Sequence, residues 1–192
     1  MNSNIKKMAG IAIMMALVIV LQLVGGLIPP VGGFSISLVL IPIVLGSAVY
    51  GPWAGMLLGA TFGVVVTINC ITGADVGGAM VFQANPVLCI LVVMLKGMLA
   101  GFGAGWVYLG MKQVNSYVAM LLSAIVCPLI NTGFFVLCMM TFFKDVLAQW
   151  AGGGEIVAYV LSGLVLANFV PELIINVVFS PAGNRILQAV QK

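Results

Sequence analysis

The feature that most constrains this chain is a succession of long apolar segments that contain almost no charged residue. Only 6% of the 192 residues are charged and 63% are hydrophobic, whereas soluble globular domains carry about 25% charged residues. A membrane-spanning helix needs about 20 mostly apolar residues, and the chain contains several such runs. The sequence therefore predicts an all-α integral membrane protein with a single membrane domain over residues 1–192.

Polar residues and Gly or Pro pairs divide the apolar sequence into six predicted spans. The spans lie at about 8–28, 36–50, 53–71, 86–110, 117–143 and 156–179. The second span is short, and the turn Gly51-Pro52 joins it to the third. The predicted linkers, at 29–33, 72–85, 111–116 and 144–155, leave no room for a soluble domain. The predicted fold is a six-transmembrane-helix bundle.

The basic residues predict the orientation of this bundle. Cytoplasmic loops of membrane proteins are enriched in Lys and Arg. With six spans and a cytoplasmic N-terminus, Lys144 is the only basic loop residue outside, and Lys96 lies within a span. The basic residues placed inside are Lys6, Lys7, Lys112, Arg185 and Lys192. Both termini are therefore predicted to be cytoplasmic.

The composition argues against several functional classes. Without histidine, the chain has no histidine metal ligand and no Ser-His or Cys-His catalytic pair. It lacks the G-x-x-x-x-G-K-[ST] loop that cradles ATP phosphates, and its four cysteines have no C-x-x-C spacing. A net charge of +3 is too small and dispersed for a nucleic-acid-binding face. We therefore expect no enzymatic activity, metal, cofactor or nucleic-acid partner.

Small residues recur at every fourth position in three of the predicted spans. They are Gly51, Gly55, Gly59 and Gly63 in the third span, Gly97, Gly101 and Gly105 in the fourth, and Ala12 and Ala16 in the first. This spacing lets helix backbones approach closely within a membrane. The glycine rows predict packing inside the bundle. The alanine pair is compatible with packing inside the bundle or against another protein.

Four polar residues within the predicted spans indicate a binding site. Lys96, Asn131, Asn168 and Glu172 fall at similar depths near the middle, where a charged side chain costs about 2.5–3.5 kcal/mol on insertion scales. Asn176 shares a helix face with Asn168 and Glu172 because they are four residues apart. The four predict a cavity between the last three helices. Alternatively, Lys96 and Glu172 neutralise each other and the asparagines join helices by hydrogen bonds.

Two prolines favour the cavity over the structural alternative. Pro128 and Pro171 remove backbone donors beside Asn131 and Glu172, and irregular backbone at membrane depth is tolerated where it lines a cavity. The stretch 69–85, which includes Gln83 and Asn85, either closes over a ligand or is a solvated loop. The candidate aromatic linings are expected to face lipid or core instead; they are Phe34, Phe82, Phe134, Phe135 and Trp150.

The chain resembles the S components of energy-coupling factor (ECF) transporters, the substrate-binding membrane subunits of bacterial vitamin importers. The resemblance covers nearly the whole chain and is most specific at residues 40–55, LIPIVLGSAVYGPWAG, with the glycine row that continues to Gly63. Within that family, the sequence is most similar to the group that contains pantothenate and riboflavin importers. Ala12 and Ala16 match the alanine motif of the family.

This resemblance implies a monomeric six-helix bundle in the bacterial plasma membrane. It implies a vitamin site toward the outer side, a coupling transmembrane subunit that docks on Ala12 and Ala16, and two ATPase subunits. Pantothenate is the favoured ligand, with Lys96 on its carboxylate and Asn131, Asn168 and Glu172 on its hydroxyls and amide. Gln83 and Asn85 complete the predicted site. Riboflavin or a cationic or zwitterionic precursor remains an alternative ligand.

Two other functions are compatible with the residues. The chain is a self-sufficient secondary transporter if Glu172 serves as a proton site, or a small scaffold if the polar residues have no ligand. These readings differ in whether the isolated protein transports, binds without transporting, or does neither.

Overall fold

The computed structural model describes residues 3–26 and 38–190, which are almost entirely helical. The elements are α1 (Ser3–Gly26), α2 (Leu40–Tyr50), α3 (Pro52–Thr72), α4 (Val76–Ala84), α5 (Pro86–Met111), α6 (Ser116–Phe142), α7 (Lys144–Trp150), α8 (Ile156–Tyr159), a π-helical segment (Val160–Phe169) and α9 (Val170–Val190). The last three follow one another without a break and are called the C-terminal rod.

Within the described residues, five helices are long and apolar enough to cross a membrane. They are Ile5–Gly26, Pro52–Thr72, Pro86–Met111, Ser116–Phe142 and Ile156–Ala189. The first four agree closely with predicted spans, and the fifth begins where the last predicted span begins. The sixth span and the cytoplasmic placement of both termini stay predictions. Residues 27–28 and 36–37 of the predicted spans, and the turn between them, lie outside the described residues.

Helix α2 is a buried element at the centre of the bundle. Its 11 residues extend about 16 Å, compared with about 30 Å for the hydrocarbon core of a bilayer. Every residue from Leu40 to Ala48 except Ile41 is buried. The helix is apolar on nearly all sides, which is typical of a helix enclosed by others. The sequence 40–50 therefore lies in the core of the described fold.

Two predicted linkers contain short helices that the apolar pattern did not indicate. Within 72–85, Asp75 caps α4 by accepting a hydrogen bond from the Gly78 backbone N–H at 3.1 Å. Within 144–155, α7 follows α6 directly after Phe143. Both helices are too short for a hydrophobic-run criterion, because that criterion detects only segments long enough to cross the bilayer.

The C-terminal rod extends well beyond the predicted end of the last span at residue 179. Pro181 lies inside α9 and has no N–H to bond the carbonyl of Val177. The Ser180 hydroxyl donates to that carbonyl instead, at 2.8 Å. The local side chain thus replaces the missing backbone bond, and the helix continues to Val190.

The closest helix contact in the bundle is the antiparallel crossing of α3 and α5. Gly55 lies against Gly101 and Gly59 against Gly97, in each case with backbone touching backbone. A Cβ atom added to any of these four glycines would overlap a carbonyl oxygen of the facing helix. The expectation that the glycine rows pack inside the bundle is confirmed for six of the seven glycines; Gly51, at the turn before α3, has no atom within 4 Å of an added Cβ.

A polar cluster joins α5, α6 and α9 at the end of the bundle opposite α4. The Ser116 hydroxyl donates to Asn184 Oδ1 at 2.7 Å and lies 3.3 Å from the Tyr108 hydroxyl. Tyr108 is buried. Its hydroxyl has a polar partner within the protein, so its ring packs in the core.

We expect Gly59→Ala to lower the thermal stability of the purified protein in detergent. The added methyl group meets the Gly97 carbonyl oxygen, and overpacking of this kind typically costs about 1–3 kcal/mol. Gly133→Ala is the matched control, because Gly133 is also helical and has no atom within 4 Å of an added Cβ. Its helix propensity gain is about 1 kcal/mol. Equal melting temperatures for the two variants would contradict the close crossing.

Candidate ligand cavity

A cavity of about 250 Å³ lies between α3, α5, α6 and the C-terminal rod, with α1 and α4 at its edge. Eight polar or charged residues contribute to its lining: Gln22, Asn69, Asp75, Lys96, Asn131, Thr132, Asn168 and Glu172. The rest of the lining is mainly apolar and aromatic. A concave, mostly apolar space with a few convergent polar groups is the usual form of a small-molecule site.

The crossing of α3 and α5 positions Lys96 in this cavity. Lys96 precedes Gly97, which contacts Gly59. Its ammonium nitrogen lies 4.7 Å from the centre of the Phe135 ring and 5.6 Å from that of the Phe62 ring. A cation within about 6 Å of a ring face is attracted by the negative face of the ring. Two rings from different helices therefore hold the Lys96 ammonium at the cavity wall.

Asn131 and Thr132 on α6 present buried oxygens that lack partners. Each residue is 5% exposed, and neither Asn131 Oδ1 nor Thr132 Oγ1 has a hydrogen-bond partner among the described residues. Other threonines in spans donate to the carbonyl one turn back, as Thr67 does to Gly63 at 2.8 Å. A buried polar group without a partner costs about 1–3 kcal/mol. These oxygens are therefore available to a molecule in the cavity.

The C-terminal rod places Asn168 and Glu172 at the cavity near an irregular part of the helix. The π-helical segment ends at Phe169, and Pro171, which has no backbone N–H to donate, follows two residues later within the continuous rod. Short π-helical stretches inside α-helices occur frequently at functional sites. The change of helix type coincides with the two residues of the rod that line the cavity.

Asn176 does not line this cavity, although it was predicted to share a face with Glu172. It lies one turn farther along α9, about 6 Å away, and lines a separate cavity of about 20 Å³ with Ala124 and Ser180. Its Nδ2 donates to the Glu172 carbonyl oxygen at 2.8 Å. An equal spacing on one helix face does not place residues at equal depth.

The structure brings together four of the six residues predicted to bind a ligand. Lys96, Asn131, Asn168 and Glu172 all line the cavity. Asn85 instead caps α5, accepting from the Leu88 N–H at 3.1 Å, and Gln83 is exposed.

The difference arises because residues 76–84 form a helix instead of a loop. Asp75, Gly78 and Val81 line the cavity, and their spacing of three puts them on one side of α4. Gln83 lies on another side of the same helix, away from the cavity. The stretch therefore contains a helix that borders the cavity, which neither of the two predicted arrangements included.

Several lining residues were not predicted. Gln22 is the only strongly polar residue in the apolar run 8–28, a signal of the same kind as Asn131. Phe135 and Trp150 pack against the hydrophobic core, as expected, and in addition line the cavity. Trp150 reaches it from α7, a helix that the apolar pattern did not reveal.

The other aromatic candidates agree with the sequence expectation or cannot be compared with it. Phe82 and Phe134 pack against the hydrophobic core, as expected. Phe34 lies outside the described residues.

Helix α1 presents much of its surface to the outside of the bundle. Ala12 and Ala16 are exposed, and large apolar side chains beside them, such as Ile13 at 65%, are exposed as well. The alanine spacing was compatible with packing inside the bundle or against another protein. In the structure, Ala12 and Ala16 face away from the bundle.

Several long apolar helices around an internal cavity with a few convergent polar groups define a multi-pass membrane protein. Residues 6–182 match the family described as ECF transporter, substrate-specific component, and the chain belongs to this family. Its members are substrate-binding subunits of transporters, which act with an ECF coupling module. Comparison with curated proteins and with solved structures gave no match.

We expect Thr132→Val to leave the stability of the ligand-free protein unchanged or to raise it. Valine has the shape of threonine and removes a hydroxyl that has no partner among the described residues, so the cost of about 1–3 kcal/mol disappears. Ser123→Ala is the control, because the Ser123 hydroxyl donates to the carbonyl oxygens of Ala104 and Ala119 at 3.0 and 2.8 Å. It should lower the melting temperature in detergent. Equal losses for both would indicate that the Thr132 hydroxyl is paired within the protein.

Proposed function

We propose that the protein captures a small vitamin or vitamin precursor outside the cell and delivers it through a separate ATP-driven coupling module. The observation that carries this proposal is the convergence of Lys96, Asn131, Asn168 and Glu172, from three helices, on one cavity. The unpartnered oxygens of Asn131 and Thr132 support it, because they are ready to accept hydrogen bonds from a ligand. Membership of the ECF substrate-specific family supplies the transport role.

Pantothenate is our first candidate ligand. Its carboxylate suits the Lys96 ammonium, since charge-assisted hydrogen bonds are the strong ones, and its hydroxyls and amide suit Asn131, Asn168 and Glu172. The cavity of about 250 Å³ is slightly smaller than the range of about 300–1,000 Å³ for drug-sized ligands. A compact molecule therefore fits better than the three-ring system of riboflavin, even with aromatic residues in the lining.

A ligand that carries an amine is the second candidate. Asp75 and Glu172 both line the cavity, whereas Lys96 is its only basic residue among the described positions. A carboxylate favours a nearby positive charge and disfavours a negative one. A zwitterionic precursor would place its carboxylate at Lys96 and its amine at Glu172.

The bound ligand can be identified directly. Protein purified in detergent and then denatured should release one small molecule in near-stoichiometric amount, identified by mass spectrometry. Lys96→Ala should weaken binding of an anionic ligand by about 10- to 150-fold, because a hydrogen bond to a charged group contributes about 1.5–3 kcal/mol. Lys112→Ala is the control, since Lys112 is exposed at the end of α5.

The same variants distinguish the two ligand classes by equilibrium binding. A ligand held only by its amine should lose affinity in Glu172→Gln and keep it in Lys96→Ala, whereas pantothenate should show the larger loss in Lys96→Ala. Asn131→Ala should weaken both. Protein that releases no molecule, and shows no thermal shift with a vitamin panel, would count against a capture subunit and favour a scaffold.

We place the docking site of the coupling subunit on α1. Ala12→Trp or Ala16→Trp should abolish uptake by cells and leave ligand binding by the purified protein unchanged, because both residues are exposed and neither lines the cavity. A bulky side chain there blocks the close helix approach that small residues permit. Leu137→Trp on α6 is the control, since Leu137 is 65% exposed and apolar.

Two results would contradict this division of labour. A parallel loss of binding and uptake in Ala12→Trp would mean that α1 acts on the cavity. Uptake by the isolated protein in liposomes with a pH gradient would instead indicate a secondary transporter, with Glu172 as the proton site.

A further inference from the structure

Cys70 and Cys89 meet in the wall of the cavity. Cys70 lies near the end of α3 and Cys89 in the first turn of α5, and each is 2% exposed. Both thiols are free and both residues line the cavity. The two side chains are near enough to influence each other electrostatically. Two thiols from different helices are thus neighbours beside the space that we propose for the ligand.

The antiparallel crossing of α3 and α5 produces this proximity. Going along α3, Gly59 and Gly63 contact α5 in turn, and Cys70 follows seven residues after Gly63, on the same helix face. Going back along α5 from Gly97, Cys89 lies eight residues away, about 12 Å along the helix axis, and so at the same end of the crossing as Cys70. The glycine contacts therefore fix the helix spacing that brings the thiols together.

The other two cysteines provide an internal comparison. Cys127 and Cys138 are buried and free, and neither is among the residues that line the cavity. They are eleven positions apart on α6, about 16 Å along its axis, so they are too distant to bond with each other.

We propose that Cys70 and Cys89 form a redox-active dithiol, which a small two-electron oxidant entering the cavity converts into a disulfide between α3 and α5. With a diazene as oxidant, one thiolate adds to a nitrogen of the N=N bond. The second thiolate attacks the first sulfur and forms the S–S bond, and the S–N bond breaks. The diazene takes up two electrons and two protons and leaves as a hydrazine, and an added dithiol reverses the oxidation by exchange.

This reaction would couple the oxidation state of the pair to the shape of the cavity wall. An S–S bond of about 2.05 Å fixes the separation of α3 and α5 where both border the cavity. The effect on capture rests on the proposed function, but formation of the bond does not. Failure to find a disulfide and failure to find a ligand are therefore separate results.

The test is to treat the full chain, purified and reduced in detergent, with the diazene diamide. Free thiols are blocked with N-ethylmaleimide after denaturation, and the peptides are mapped without reduction by mass spectrometry. We expect a Cys70–Cys89 linkage in most molecules, its loss after dithiothreitol, and N-ethylmaleimide on Cys127 and Cys138. Cys70→Ser should abolish the linkage, and the Cys127→Ser, Cys138→Ser double variant should keep it.

The proposal is overturned if all four cysteines carry N-ethylmaleimide after diamide treatment, or if the linkage joins a different pair. It is also overturned if the linkage forms only after the protein has been unfolded, since the native crossing would then play no part. The peptide map of the unsubstituted chain decides these outcomes by itself, whether or not Cys70→Ser folds.

Discussion

The contact between the backbones of α3 and α5 is the constraint on which the rest of the structure depends. Glycines on both helices allow an approach that any side chain would prevent. In lipid, an apolar side chain has a similar free energy against a lipid tail and against another apolar side chain. Close backbone packing is therefore a main source of helix association. This contact places Lys96 beside the ring of Phe62, and Cys70 and Cys89 at the wall of the same cavity. The backbone contact at the glycines of α3 and α5 therefore determines the main wall of the cavity.

A charged residue at this position needs local stabilisation, and the bundle supplies it from several helices. The Lys96 ammonium lies over rings from α3 and α6, while the Glu172 carboxylate lines the same cavity from the C-terminal rod. Cation–π attraction becomes stronger when the cation is removed from water, about 2 kcal/mol or more. The stabilising groups belong to different elements, so Lys96 is accommodated only when the whole bundle is assembled.

Irregular helix geometry is concentrated around the cavity. Away from the cavity, a hydrogen bond that the helix backbone loses is replaced by a neighbouring side chain. At Pro181 a serine hydroxyl replaces the lost backbone bond, and the rod continues. Near Asn131 and Glu172, the chain instead has Pro128 within α6, a π-helical segment, and Pro171 at the start of α9. Unpaired oxygens of Asn131 and Thr132 lie in the same region. The fold thus combines regular helices that pack tightly with one region that retains unused hydrogen-bonding capacity.

The sequence by itself determined the features that depend on the length of an apolar run or on a periodic spacing of residues. Five spans, the packing of the glycine rows inside the bundle, and the convergence of Lys96, Asn131, Asn168 and Glu172 follow from apolar runs, four-residue spacing and similar depth in the membrane. The tertiary structure determined the features that depend on contacts between elements distant in the sequence. Short helices α4 and α7 bring Asp75 and Trp150 to the cavity and turn Gln83 away, because a short amphipathic segment takes its orientation from the surface on which it packs. The pairing of Cys70 with Cys89 likewise depends on helix register, which no local pattern encodes.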